Sequence, residues 1–167
     1  GKVYGMINGI EGFINGKFMD IREEMSDDEI ELLKSTPSSY LGSCRYKLPD
    51  SMEDAMYRQI FEKFSKMNIK YFIYIGGNDS MDTVSKLAVY ARCTNSDVKI
   101  IGVPKTIDND LVLTDHSPGF GSAAKYVATT VRDIVMDASV YDTQSVTIIE
   151  LMGRHAGWIT ASSILAR

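Results

Sequence analysis

Metal-binding and redox residues are scarce in this sequence. Cys44 and Cys93 stand far apart, no CxxC occurs, and His116 and His155 are the only histidines. No paired spacing for a zinc site results, and both cysteines read as buried, reduced thiols. Long apolar runs are also missing: none approaches the roughly 20 residues that a bilayer span requires, so no membrane is implied. Positive charge is not in excess, since 18 Lys+Arg face 22 Asp+Glu for a net charge of −4. The chain is therefore a poor candidate for duplex nucleic acid, whose phosphates demand a basic face. A small anion needs only a local positive pocket and stays open. There is no internal repeat and no low-complexity tract. No signal or basic transit segment opens the chain, which makes a reducing cytoplasm the expected location. The nucleotide fingerprints GxxxxGK[ST] and GxGxxG are absent, and the sequon Asn78-Asp79-Ser80 is too short a match to carry weight.

What is present is an ordinary globular composition: 167 residues, 44% hydrophobic and 24% charged. That excludes disorder and gives one domain, or one and a half, with a sizeable core. Val3–Ile7 reads as a short strand and Ile10–Phe18 as a Gly-rich loop. Ser26-Asp27-Asp28-Glu29 caps a short helix carrying Ile30, Leu32 and Leu33. A polar loop over 35–43 follows. Met52, Met56, Ile60, Phe64 and Met67 recur at helical spacing behind Asp50 or Ser51 as cap. Tyr71–Ile75 is a continuous apolar run stopped by Gly76-Gly77, the pattern of a strand buried on both faces. A helix over about 79–91 turns Val84, Leu87, Ala88 and Ala91 inward. Val98–Val103 is a second buried strand, cut by Pro104, and 104–118 is a long polar loop. Ala124, Val127, Val131 and Ile134 share one face of a helix over 123–138. Val146–Met152 reads as a third core strand, and a helix from about His155 closes the chain.

This alternation predicts an α/β fold, a parallel sheet wrapped by helices in a Rossmann-like three-layer arrangement. Ligands of such sheets gather at the carboxyl ends of the strands, where three polar clusters lie. In Gly76-Gly77-Asn78-Asp79-Ser80 the glycines admit a close ligand, and the following helix start offers free N–H groups to phosphate. The bland alternative is a capped tight turn. Pro104-Lys105-Thr106-Ile107-Asp108-Asn109-Asp110 sets two carboxylates beside a lysine. Such carboxylates can take a hydroxyl proton or share Mg²⁺ with phosphate oxygens, while the lysine neutralises a transferring phosphoryl group. A solvated Asn/Asp turn is the alternative. In Met152-Gly153-Arg154-His155, an arginine at a helix start sits badly with the helix dipole unless an anion is near. The three clusters are expected to converge in one crevice.

Taken in order, these clusters resemble the phosphofructokinase family. Gly42-Ser43-Cys44-Arg45 and Gly119-Phe120 reinforce the match, which covers essentially the whole chain. The resemblance implies phosphoryl transfer to the 1-hydroxyl of fructose 6-phosphate, giving fructose 1,6-bisphosphate. It makes Asp108 the base, with Asp110 and Thr106 supporting it and Lys105 and Arg45 at the transferring phosphate. Met152, Gly153 and Arg154 would bind the sugar phosphate together with Thr106, Asp108 and Asp110. Gly77, Asn78, Asp79 and Ser80 would line the donor side. Mg²⁺ would sit near Asp110 and Asn78; many members carry Asp at position 78, and a neutral amide is the weaker ligand. Asp79 and Lys105 stand where ATP-using members usually have Gly, so the resemblance is greatest to the pyrophosphate-dependent branch (diphosphate–fructose-6-phosphate 1-phosphotransferase), with ATP the alternative donor. A non-catalytic sugar-phosphate-binding module is a further alternative. Ser145 replaces an Arg that many members extend into a neighbouring subunit, although a homo-oligomeric parent is expected. The family's first strand and Gly-rich loop would precede Gly1, and its second lobe would follow Arg167. By this reading the chain is a partial phosphofructokinase domain, incomplete at both ends, with little or no turnover alone.

Overall fold

The computed structural model describes residues 1–166. They fall into two compact units, the first comprising Gly1–Tyr74 with Asn78–Gly102, the second Ile75–Gly77 with the chain from Val103 onward.

The first unit opens with strand β1 (Tyr4–Met6), helix α1 (Gly9–Ile14) and strand β2 (Phe18–Asp20). β1 and β2 pair antiparallel, Gly5 opposite Met19. The Gly-rich stretch expected as a loop is therefore a helix and a strand. Its glycines disfavour a helix, but Ile10 and Phe13 are driven fully into the core, and tertiary burial overrides propensity. Helix α2 (Ile21–Glu24) follows, then α3 (Asp27–Leu32). Ser26 and Glu29 form a reciprocal capping box on α3, and the Ser26 amide holds the Glu29 carboxyl below its ordinary range.

Helix α4 (Ala55–Lys66) starts later than its methionine pattern suggested, because the Asp54 carboxylate accepts the Met56 N–H at 2.8 Å and caps it there. Its buried face presents Tyr57, Ile60 and Phe64. Phe64 stacks on Phe13 at 5.1 Å and tilts against Phe72 at the same centroid distance. Such pairs add about 0.5–1.5 kcal/mol each beyond burial. The Tyr57 hydroxyl donates to the Pro49 carbonyl at 2.6 Å. Lys63 donates to the carbonyls of Phe13 and Ile14 at the end of α1, where a cation suits the helix dipole.

Strand β3 (Tyr71–Gly76) leads into α5 (Asn78–Cys93), which leads into β4 (Lys99–Pro104). β3 and β4 pair. Lys99 N–H bonds the Lys70 carbonyl and Lys105 N–H bonds the Gly76 carbonyl, each at 2.9 Å. Register thus advances in the same direction on both strands, and the pair is parallel. Leu87 and Ala91 of α5 are buried as expected. Lys86 joins Asp50 at 2.7 Å and Asp82 at 2.8 Å with its stem largely covered, and this bond holds the Asp50 carboxyl below its ordinary value. The expectation of buried strands fails on both: on β3 Phe72 is buried but Tyr71, Ile73 and Ile75 are exposed, so that strand is covered on one face only, and on β4 no residue is fully buried, with Ile101 and Val103 exposed. Cys93 is exposed and Cys44 half-buried, against the buried pair expected.

The second unit carries the 104–118 loop and helix α6 (Phe120–Ala138), which packs against α7 (Trp158–Ser162) and a 3-10 turn over Ser163–Ala166. The expected third strand over 146–152 does not form. Its backbone is irregular, and Val146 and Ile148 are almost fully exposed. A parallel strand exists only with neighbours that satisfy its N–H and C=O groups, and none pairs with it among the described residues. The closing helix begins at Trp158 rather than His155, because Gly153 (φ 150°) and Arg154 (φ 43°) turn the chain first. No helix among the described residues is long and apolar enough to cross a membrane.

Candidate functional site

The first unit supplies the start of α5 and the loop carrying Arg45. Asn78 and Asp79 are exposed and Ser80 half-buried in the opening turn of this sixteen-residue helix. Its free N–H groups and positive dipole end suit an anion. The Asp79 carboxylate is paired with Lys47 at 3.3 Å, both side chains being exposed. Arg45 is exposed. The loop before it is tied to Asn8, whose backbone N–H bonds the Leu41 carbonyl at 2.7 Å and whose Nδ2 bonds the Ser43 carbonyl at 3.2 Å. Nearby, burial pushes the Tyr74 phenol up, with the Cys44 thiol a lesser cause.

The second unit contains Gly77 and the Asp loop. Gly77 is the single residue between β3 and α5. A Cβ there would meet only the Lys105 carbonyl, at 4.0 Å, so the turn is open to a ligand. The Lys105–Gly76 backbone bond sets the end of β4 beside this turn. Within the loop, Lys105 and Asp110 are exposed, while Thr106 and Asp108 are half-buried. The Asp108 N–H donates to Thr106 Oγ1 at 3.0 Å, a local turn that fixes the aspartate's backbone. Asn109, in the left-handed region at φ 57°, bonds through its side chain to Asp115 and Ser117. Gly119 packs closely on Ile107: a Cβ there would lie 3.1 Å from Ile107 Cγ2.

Met152, Gly153 and Arg154 line an open concavity of about 580 Å³ with residues of the α7 turn, among them Thr160 and Ala161. Arg154 lies in a left-handed turn and not at a helix start, so the dipole argument for anion binding no longer applies to it. Its exposed guanidinium still has no carboxylate partner among the described residues, and neither do Arg45 and Lys105. Asp108 and Asp110 likewise have no ion-pair partner there. Backbone geometry thus brings Gly77 and Lys105 together. No hydrogen bond or ion pair among the described residues joins Arg154 to Asp108 or Asp110.

No three His, Cys, Asp or Glu side chains gather into a metal cage among the described residues. Asp108 and Asp110 nevertheless offer hard oxygen donors of the kind Mg²⁺ takes one or two at a time, with phosphate oxygens completing its shell. Sequence reasoning missed Asn8, Lys47 and Asn109. Each acts through a contact with a distant or backbone group; the only signal for Asn109 was an Asn at a turn between two Asp, where the left-handed conformation is tolerated.

A glycine turn and a carboxylate loop at neighbouring ends of parallel strands place the chain among α/β proteins whose ligands lie at the carboxyl edge of the sheet. The profile of one such family, Phosphofructokinase, matches residues 1–167, and the chain belongs to the phosphofructokinase family. It is 46% identical to the pyrophosphate–fructose 6-phosphate 1-phosphotransferase of Halomonas elongata, over 99% of this chain and 40% of that protein. Two solved structures are similar. The pyrophosphate-dependent phosphofructokinase of Marinobacter aquaeolei has a TM-score of 0.84 and 44% identity over 100% of this chain and 41% of that one. That of Nitrosospira multiformis has a TM-score of 0.88 and 42% identity over 99% and 41%. The chain therefore spans about 40% of the length of the relatives it matches.

Proposed function

We propose that this chain is part of a pyrophosphate-dependent phosphofructokinase, which moves a phosphoryl group from pyrophosphate to the 1-hydroxyl of fructose 6-phosphate. The observation that carries this reading is the position of Lys105. Its backbone is bonded to Gly76 at 2.9 Å, so a cation without an ion-pair partner among the described residues sits at the strand end next to the open glycine turn. A compact, highly charged pyrophosphate suits that cation. Asp79 argues in the same direction, because a carboxylate there adds bulk and negative charge where a nucleotide's α-phosphate would lie. The similar proteins named above carry pyrophosphate in their names.

In this reading Asp108 accepts the proton of the 1-hydroxyl as its oxygen bonds to phosphorus. The bridging P–O bond of pyrophosphate breaks, and phosphate leaves. Thr106 holds the Asp108 backbone through its 3.0 Å bond, and Asp110 supports the sugar and Mg²⁺. Lys105 and Arg45 offset charge on the transferring group, Gly77, Asn78, Asp79 and Ser80 receive the donor, and Met152, Gly153 and Arg154 bind fructose 6-phosphate. When bound, Mg²⁺ neutralises phosphate oxygens; Asp110 is the residue best suited to hold it, with Asn78 the weaker candidate.

The test is fructose 1,6-bisphosphate formation by the full-length protein with Mg²⁺ and either donor. Activity with pyrophosphate alone is expected. The pair Asp79→Gly and Lys105→Gly should then lower pyrophosphate turnover by roughly 10²-fold or more, the usual scale for one lost charge-stabilising donor. Activity with ATP alone would keep the phosphotransferase and sink the donor argument. A folded protein active with neither donor would leave a sugar-phosphate-binding module.

A further inference from the structure

Asp108 and Asp110 flank a residue that the reaction scheme leaves without a role. Asn109 adopts φ 57°, a conformation that a short polar side chain tolerates and most others do not. Its amide is used at both ends. Nδ2 donates to the Asp115 carbonyl at 3.1 Å, and Oδ1 accepts the Ser117 N–H at 2.8 Å. Only this orientation works: flipped, the amide would set oxygen against carbonyl and NH₂ against N–H. Ser117 is buried, and its carbonyl accepts the N–H of Phe120, the first residue of α6, at 3.1 Å. The Ser117 hydroxyl has no partner among the described residues, so its backbone bonds are what anchor it. A chain of bonds thus runs from the start of α6 through Ser117 to Asn109, while Thr106 holds Asp108 from the other side.

We propose that Asn109 is the positioning residue of this site. It clasps residues 115–117 and so fixes the backbone that carries Asp108 and Asp110. The proposal rests on the phosphoryl-transfer reading, with Asp108 as base. The loop over 105–118 has no helix or strand to hold it, and two carboxylates two residues apart on an untethered loop would not keep one mutual geometry. A base displaced by about 1 Å can lose roughly 10² in rate. Few side chains can replace this one. Glycine accepts the backbone angle but has no amide, aspartate accepts but cannot donate, and glutamine is one methylene too long.

The test uses the full-length protein and Asn109→Gly, which keeps the backbone angle and deletes the clasp. With fructose 6-phosphate and pyrophosphate, kcat should fall by roughly 30-fold or more with KM changed by less than about threefold. Amide exchange at Ser117 should speed up by about tenfold or more while exchange in α4 is unchanged. A kcat within threefold of wild type, a raised KM at undiminished kcat, or unaltered Ser117 exchange would each overturn the proposal. If the glycine variant does not fold, Asn109→Asp decides. It keeps the acceptor and loses the donor, so Ser117 should stay protected while kcat falls roughly three- to tenfold; an undiminished kcat counts against the clasp. If wild-type protein forms no fructose 1,6-bisphosphate with either donor, the functional reading fails separately. Ser117 exchange then decides the clasp alone: faster in Asn109→Gly supports it, equal rates refute it.

Discussion

The two carboxylates of the β4–α6 loop differ in their settings. Asp108 is half-buried, with its backbone tied through Thr106 before it and Asn109 after it; Asp110 is exposed. A general base depends on orientation as much as on charge, so within the proposed phosphoryl transfer Asp108 suits the base and Asp110 the support of sugar and Mg²⁺. Asp108→Asn keeps the shape but cannot take a proton. In the full-length protein it should lower kcat by roughly 10²–10⁴, while fructose 6-phosphate binding measured by calorimetry stays within about threefold. A loss of binding in step with the rate would remove Asp108 from the role of base. The placement of Lys105, Asp108 and Asp110 on the loop after β4 was legible in the sequence, because all three follow a recognisable strand. The contacts of Lys47 and Asn109 were not. Lys47 reaches Asp79 at 3.3 Å from far away in the chain, and Asn109 acts on groups six and eight residues on. No local pattern encodes either distance. Arg154 shows the converse error: an argument from the helix dipole fails when the helix begins four residues later.

Among the elements, the long ones were readable, and so were two short ones with a local signal, the apolar strand β1 and the capped helix α3. α4, α5 and α6 show helical spacing over several turns, and β3 and β4 are apolar runs bounded by glycine or proline. The α1–β2 segment was hidden because its order comes from contacts that reach beyond it. Gly12 is the clearest case. α1 lies so close to the end of β1 that a Cβ on Gly12 would fall 1.5 Å from the Ile7 carbonyl oxygen. The backbone bonds Ile7 N–H to Lys17 O at 3.1 Å and Lys17 N–H to Gly12 O at 2.7 Å lock the same junction. Ala at position 12 would normally favour a helix, yet here the clash is with backbone and cannot be relieved by a rotamer. Gly12→Ala should cost at least about 3 kcal/mol, the upper end of overpacking penalties, measured by urea unfolding of the full-length protein. A cost below about 1 kcal/mol would show that β1 and α1 part easily. The segment over 146–152 failed for the opposite reason. Its composition fits a strand, but hydrophobicity alone does not supply a neighbour to pair with.

At the scale of the whole molecule, the apolar surface left uncovered is the main physical feature. Ile73 and Ile75 on β3 are 59% and 66% exposed, and Val146 and Ile148 are 90% and 91% exposed. The sequence places these residues in a core, and the structure places them in water. Soluble monomers seldom expose such runs, and a two-stranded sheet leaves edges with unpaired N–H and C=O groups. The chain covers about 40% of the relatives it matches, so the α/β pattern can be read correctly while the burial inferred from it is not met within these residues. The consequence is measurable. The 167-residue chain alone should sediment as species larger than its 18.6 kDa mass at concentrations on the order of 10 µM, where exposed strand edges drive association. Ile73→Lys with Ile75→Lys places charge on that face of β3 without touching Phe72 on the covered side, and charge on an edge opposes pairing. The double variant should therefore shift the distribution towards monomer with α4 and α5 still helical by circular dichroism. A wild-type chain that sediments as a clean monomer would mean that the exposed faces of β3 do not associate. Association undiminished in the double variant would move the sticky surface to the Val146–Met152 segment.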